Sequence, residues 1–214
     1  MEADKVISQQ EERQQMRITK QEDALAMLEL GHCYFVGLGV EQDYAMAAMY
    51  YRKAANQGNM QAQYSLGCCY WHGQGVVKDE RWALSWWTQA AEAGLAEAQT
   101  NLGIYYAEKA GDYSTAVHWY AKAVEQGDAV AQNNLGDCYE KGRGVEPDMG
   151  KAVRLYRFSA AQNCYFGQYS LAECYEQGKG VEEDLTQAIH WYSLAVELGF
   201  EPAVAALERV VALG

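Results

Sequence analysis

Proline is nearly absent from this chain. Only Pro147 and Pro202 occur in 214 residues, so almost nothing interrupts helix formation. Phenylalanine is scarce at 4, whereas tyrosine reaches 16 and tryptophan 6. Positive charge is short as well: 17 Lys and Arg face 29 Asp and Glu, for a net charge of -12. Binding to nucleic acid or to an anionic membrane needs clustered cations, so both are excluded as expected partners. No run approaches the ~18 consecutive apolar residues of a membrane span. The opening "MEADKVISQQEERQQMRITK" lacks the apolar core of a signal peptide. A cytoplasmic location is the resulting expectation. Six cysteines in a chain this long do not require a disulfide framework.

What the chain does have is repetition. "LGHCYFVGLGVEQD" begins at Leu30, "LGCCYWHGQGVVKD" at Leu66, "LGDCYEKGRGVEPD" at Leu135 and "LAECYEQGKGVEED" at Leu171. A shortened copy, "LGIYYAEKAGD", begins at Leu102. The residue after the leucine is Gly31, Gly67, Gly103, Gly136 and Ala172 in turn. An aspartate follows in every copy (Asp43, Asp79, Asp112, Asp148, Asp184), and an alanine four residues later (Ala47, Ala83, Ala116, Ala152, Ala188). Aromatic or Leu-Tyr pairs come next: Tyr50-Tyr51, Trp86-Trp87, Trp119-Tyr120, Leu155-Tyr156 and Trp191-Tyr192.

The spacing predicts two helices per repeat. The first, helix A, carries Ala62, Leu66, Gly67 and Tyr70 at helical intervals. The Gly-x-Gly-Val turn ends it, since glycine takes the left-handed conformation without a Cβ penalty. The aspartate then caps helix B. Four of the cysteines, Cys33, Cys69, Cys138 and Cys174, share one position of helix A. They stand about one repeat apart, roughly 10 Å by helix-packing distances, too far to pair or to share a metal. They read as small buried hydrophobes.

With these residues in view, the chain resembles the Sel1-like repeats, relatives of the tetratricopeptide repeats. Their pattern is close to A-x-x-x-LG-x-x-Y-x-x-G-x-GV-x-x-D-x-x-x-A-x-x-WY-x-x-A. Five copies cover residues 21–201; the third lacks Gly-x-Gly-Val and is three residues shorter, so its turn is expected to be tighter. The resemblance implies an all-α, right-handed superhelical solenoid of antiparallel helix pairs, with helix A lining a concave groove. It also implies an adaptor that binds other proteins. Residues 1–20 are expected to form a short polar helix or a tail, with Thr19 and Glu22 as a capping box for the first helix A. Residues 202–214 are expected to cap the stack as a final helix.

Catalytic and cofactor chemistry finds no support. The Gly-x-Gly turns lack the third glycine and preceding strand of a dinucleotide fingerprint, and there is no G-x-x-x-x-G-K-[ST]. H-E-x-x-H and S-x-x-K are absent. "CCYWH" at Cys68–His72 has no second ligand cluster, so no metal and no cofactor is expected. His118 and His190 share a helix B position with Met49, Ser85 and Arg154, a variety that points to the surface.

The remaining candidates are the exposed positions of helix A, placed by analogy with tetratricopeptide repeats. The N-terminal half contributes Leu28, His32, Phe35, Tyr64, Trp71 and His72. The C-terminal half contributes Asn133, Asp137, Glu140, Tyr169, Glu173 and Glu176. Between Asp128 and Glu201, 12 acids face 6 Lys and Arg. The expected partner is a protein or peptide with hydrophobic anchors and basic residues. Asn133 is suited to hydrogen-bonding an extended backbone. Alternatively, Leu25, Leu28 and Phe35 pack on the N-terminal segment. An enzyme or metal protein on the same scaffold, or a self-assembling module, are the competing functions, and the sequence leaves the oligomeric state open.

Overall fold

The computed structural model describes the backbone of residues 2–212 and the side chains of residues 19–212. Within them every regular element is helical. The helices are α1 (Glu2–Val36), α2 (Tyr44–Ala55), α3 (Met60–His72), α4 (Glu80–Glu92), α5 (Ala96–Tyr105), α6 (Tyr113–Glu125), α7 (Ala129–Lys141), α8 (Met149–Ala161), α9 (Tyr165–Gln177), α10 (Leu185–Glu197) and α11 (Glu201–Val211). They form five antiparallel A–B pairs with α11 as an additional A-type helix. The chain divides within α5 into two compact units, residues 1–98 and 99–214.

The punctuation of the repeat makes these helices. Asp43 Oδ1 accepts from the backbone N–H of Ala45 at 2.8 Å and of Met46 at 3.0 Å. Asp79, Asp148 and Asp184 cap α4, α8 and α10 in the same way. Each cap satisfies donors that a helix start leaves unpaired. At the other end, Gly73, Gly142 and Gly178 take the left-handed conformation and close α3, α7 and α9. Val76 and Val181 then fold back toward the cores.

Two sequence expectations about ends are corrected. Thr19 is not an N-cap, because α1 runs unbroken through it from Glu2. The Gln, Glu, Arg and Lys residues before Thr19 are strong helix formers and carry the helix on. How residues 1–18 pack lies outside the described side chains, but in a continuous α1 they share one helix with Leu25, Leu28 and Phe35. Cys33 is half-buried, whereas Cys69, Cys138 and Cys174 are buried, and no described helix covers the Cys33 side of α1. All six cysteines are free thiols.

The third repeat has the tight connection its length demands. Only Gly111 and Asp112 separate it from α6, and the end of its helix A widens into a π-turn at Tyr106–Ala110.

In the first unit the core is Ala24, Leu28, Ala47, Tyr51, Ala54, Leu66 and Cys69 with their neighbours. In the second, Val153, Tyr156, Leu171 and Cys174 form one cluster, and Ala188, Tyr192, Ala203 and Val210 another. Small residues let the helices approach, and the large ring of each helix B fills the remaining space. A Cβ on Gly67 would stand 2.5 Å from the Trp87 ring, and one on Gly136 2.6 Å from that of Tyr156. Real side chains do not tolerate such contacts, which explains the glycine of the repeat.

Candidate functional site

The site is built from what lies one turn past that small residue, over the helix B ring. In the first unit this position holds Phe35 and Trp71. Phe35 packs against Tyr44 and Tyr51 with centroids 5.2 and 6.4 Å away. Trp71 packs on Trp87 at 5.2 Å. Both are half-buried, with part of each ring left to solvent. Tyr64 is half-buried; His32 and His72 are exposed. The His32 ring meets Tyr51 edge-on, with Nδ1 3.4 Å from the Tyr51 hydroxyl. Leu28 is not an exposed anchor: it is 8% exposed and belongs to the core beside Ala24. Its helical neighbour Leu25 is 51% exposed. Leu25, Leu28 and Met60 line a cleft of about 500 Å³ edged by Gln21, Gln57 and Gln61.

In the second unit the same position holds Glu140 and Glu176, still over tyrosines. The Tyr156 hydroxyl donates to Glu140 Oε2 at 2.8 Å, and that of Tyr192 to Glu176 Oε2 at 2.7 Å. A cation from further along the chain completes each group. Lys179 Nζ reaches Glu140 Oε1 at 3.1 Å, and Arg209 grips both oxygens of Glu176 at 2.9 and 2.8 Å. Burial works against the Glu140 charge, but the hydrogen bonds from Tyr156 and Lys179 outweigh it and hold its carboxyl below the usual range. The Arg209 hydrogen bonds hold Glu176 down likewise. Asp137 pairs with Lys141 one turn on and lies 4.0 Å from Arg143.

Glu173 differs from these three. It is half-buried and has no ion pair among the described residues. Burial pushes its carboxyl up, the Glu140 charge adds to the rise, and only the Tyr169 hydroxyl bond opposes them strongly. Tyr169 stacks edge-on against Tyr192 and Phe200, each at 5.4 Å. Asn133 is half-buried and already accepts from Ser170 Oγ at 2.9 Å, which leaves its amide nitrogen directed to Asn134 at 3.4 Å. The acidic residues are thus unequal: Asp137, Glu140 and Glu176 are paired within the chain.

Sequence reasoning missed the cations. Lys179 occupies the x of Gly-x-Gly and reaches back to Glu140 of the preceding repeat; Arg143, at the same position, stands 4.0 Å from Asp137 of its own repeat. Basic residues at that position in the two acidic repeats were the available signal. Arg209 lies on α11, where the repeat pattern gives no guide.

Among the described residues, no group of three His, Cys, Asp or Glu is placed to hold a metal ion. None of the described helices is long and apolar enough to cross a membrane. His118 and His190 are exposed, as are Met49, Ser85 and Arg154. Burial pushes the thiols of Cys69 and Cys174 up to about 12 and that of Cys138 up to about 11, which makes them poor nucleophiles.

These features define an all-α repeat protein made of A–B helix pairs. The Sel1 repeat model matches residues 24–59, 61–95, 96–128, 129–164 and 166–200, and the chain belongs to the Sel1 repeat family. A Sel1 repeat protein from Oxalobacter formigenes is 34% identical over 87% of this chain and 76% of its own, with a TM-score of 0.82. A protective antigen of uropathogenic Escherichia coli with the same repeat fold is 39% identical over 87% of this chain, with a TM-score of 0.77; the match spans 41% of the antigen. Cysteine rich protein B of Helicobacter pylori is 26% identical over 61% of this chain and 96% of its own, with a TM-score of 0.50. No curated protein sequence matches the chain. Sel1 repeat proteins are generally protein–protein interaction scaffolds.

Proposed function

We propose that this chain is a non-catalytic adaptor that holds a segment of a partner protein against the groove face of its A helices. The observation that carries this reading is the exchange at one repeat position. Phe35 and Trp71 give way to Glu140 and Glu176, while the helix B ring beneath remains aromatic. The A-helix face thus varies between repeats where the buried ring beneath does not, as the binding face of a repeat array does. Trp71 and Tyr64 are the apolar anchors, with His32, Phe35 and His72 around them. Glu173 takes a basic residue of the partner, because Asp137, Glu140 and Glu176 already have cations of their own. Tyr169 and Asn133 flank it. Free thiols at all six cysteines support action in a reducing compartment, the cytoplasm.

The test is affinity capture of the partner from cell extract read by mass spectrometry, followed by titration of the purified partner. Trp71→Ala and Glu173→Lys are each expected to weaken binding at least tenfold while circular dichroism stays unchanged. Binding unaltered by both substitutions would remove the groove from consideration.

A further inference from the structure

Within the first unit α2 covers one side of α3, and within the second unit α6 covers α7 and α8 covers α9. Three residues do the covering work on α3: Ala62, Leu66 and Cys69 are 0, 0 and 1% exposed. The contact is finished at two polar points. A Cβ on Gly75 would run into the Tyr44 carbonyl at the start of α2, so the two backbones touch there. Arg52, eight residues further along α2, donates to the Tyr70 hydroxyl at 2.8 Å. The pair α8 and α9 repeats this arrangement. Met149 and Val153 lie against Gly180, and Arg157 donates to the Tyr175 hydroxyl at 3.2 Å. Glu182 lines the same small pocket as Arg157 and Tyr175.

The first repeat carries a counterpart of each part of that surface, and no described residue covers it. Ala26 and Leu30 occupy the positions of Ala62 and Leu66, yet both are exposed, Leu30 at 36%. Cys33, at the position of Cys69, is half-buried. Gly39, at the position of Gly75, has no atom within 4 Å of where a Cβ would stand. Tyr34, at the position of Tyr70 and Tyr175, stacks on Tyr50 at 5.7 Å, and its hydroxyl has no hydrogen-bond partner among the described residues. Val40 and Glu41, at the positions of Val181 and Glu182, are exposed. An alanine–leucine–cysteine stripe of this kind is the composition of a covered helix face, as on α3.

We propose that this face of the first repeat is the docking site for a basic amphipathic helix of a partner protein. The helix lies on α1 as α8 lies on α9. Its first turn abuts Gly39, and small and apolar side chains cover Ala26, Leu30 and Cys33. A guanidinium eight residues after its first helical residue is taken by the Tyr34 hydroxyl and the Glu41 carboxylate. The occupant's chemistry is read from the two helices of this chain that fill the equivalent place, and a cation suits a protein of net charge -12. The surface is distinct from the A-helix groove.

The test uses the full chain and a stapled helical peptide with the sequence of residues 148–162. Saturable binding by fluorescence anisotropy is expected. Leu30→Glu should weaken it at least tenfold. Tyr34→Phe and Glu41→Gln should each weaken it several-fold, and Ser85→Ala, at an exposed helix B position, should leave it unchanged. Bound peptide should slow alkylation of Cys33 and leave Cys164 unaffected. Should Leu30→Glu disturb the fold, the two polar substitutions and the Cys33 footprint carry the decision. Absence of saturable binding, equal binding to Tyr34→Phe and Glu41→Gln, or an unprotected Cys33 each overturn the proposal. Self-association of the chain that Leu30→Glu abolishes also overturns it, by giving the face to a second copy.

Discussion

Arg209 on α11 reaches back to α9 and takes Glu176 in a two-pronged hydrogen bond, while the Tyr192 hydroxyl of α10 donates to the same carboxylate. One side chain thus ties the last three helices together. Arg209→Ala should lower stability by about 1 kcal/mol, the scale of a well-formed pair with an exposed arginine. The pH dependence should change with it. Glu176 is held below the usual carboxylate range, first by Arg209. A carboxyl lowered in the folded state gives stability that is complete above its unfolded value of about 4.3, and that is lost as pH falls through the folded value. Urea unfolding from pH 7 to pH 3 should therefore show a shallower acid decline in the variant.

Glu173 has the opposite sign. Its carboxyl is raised by burial, so the folded state binds the proton more tightly than the unfolded chain. Its charge destabilises the fold at neutral pH, and that penalty disappears once pH falls below the unfolded value. Glu173→Gln should raise the urea midpoint at pH 7 and leave it almost unchanged near pH 4. An equal gain at both values would mean that packing, not charge, is responsible.

A ladder of glutamines offers a stabilising change. Gln126 donates to Gln99 Oε1 at 2.8 Å, and Gln162 to Gln132 Oε1 at 2.9 Å, each from the end of helix B to buried helix A. Where the outer partner is Ala93 or Leu198, the buried Oε1 of Gln63 or Gln168 has no partner among the described atoms. Ala93→Gln should supply the missing donor and add about 1 kcal/mol, a rise of about 2–4 °C in Tm. Gln162→Ala should lose a comparable amount by leaving the Gln132 oxygen unbonded. Differential scanning calorimetry reads both.

Two glycines at one repeat position should respond differently to alanine. Gly39 and Gly75 both hold positive φ, +73° and +70°, so each loses about 1–2 kcal/mol from the conformation alone. Only at Gly75 does the new methyl meet the Tyr44 carbonyl. Gly75→Ala should be the more damaging by at least ~1 kcal/mol in urea unfolding.

Thiol chemistry should follow burial. Cys69, Cys138 and Cys174 are buried with raised pKa values. At pH 8 iodoacetamide should label Cys33 and Cys164 first, with the buried three reacting only in denaturant. Peptide mapping by mass spectrometry would detect the order.

The helical pairs were legible because their signals are local. Asp148 caps, Gly142 terminates, and Ala152 with Tyr156 marks the buried face, each within one repeat. Leu28 misled because its position was read by analogy with a solvent-facing site, whereas Ala24 and Leu28 share the α1 stripe that meets α2. The pairing of Glu140 with Lys179 and of Glu176 with Arg209 was out of reach for a different reason. Those contacts join residues 39 and 33 positions apart, and no helical period reports them. For the same reason the sequence treated four carboxylates as equal, and only their surroundings distinguish Glu173.

The π-turn of the third repeat bears on how such an array survives damage. Deleting three residues from a helix turns all that follows by about 300°. Here the loss is absorbed before Asp112, and Tyr120 still lies against Gly103 as Tyr156 lies against Gly136. The shortened copy has returned to the common reading frame within its own span. Each repeat behaves as a separately edited sentence, and a change in length in one copy leaves the grammar of the next intact.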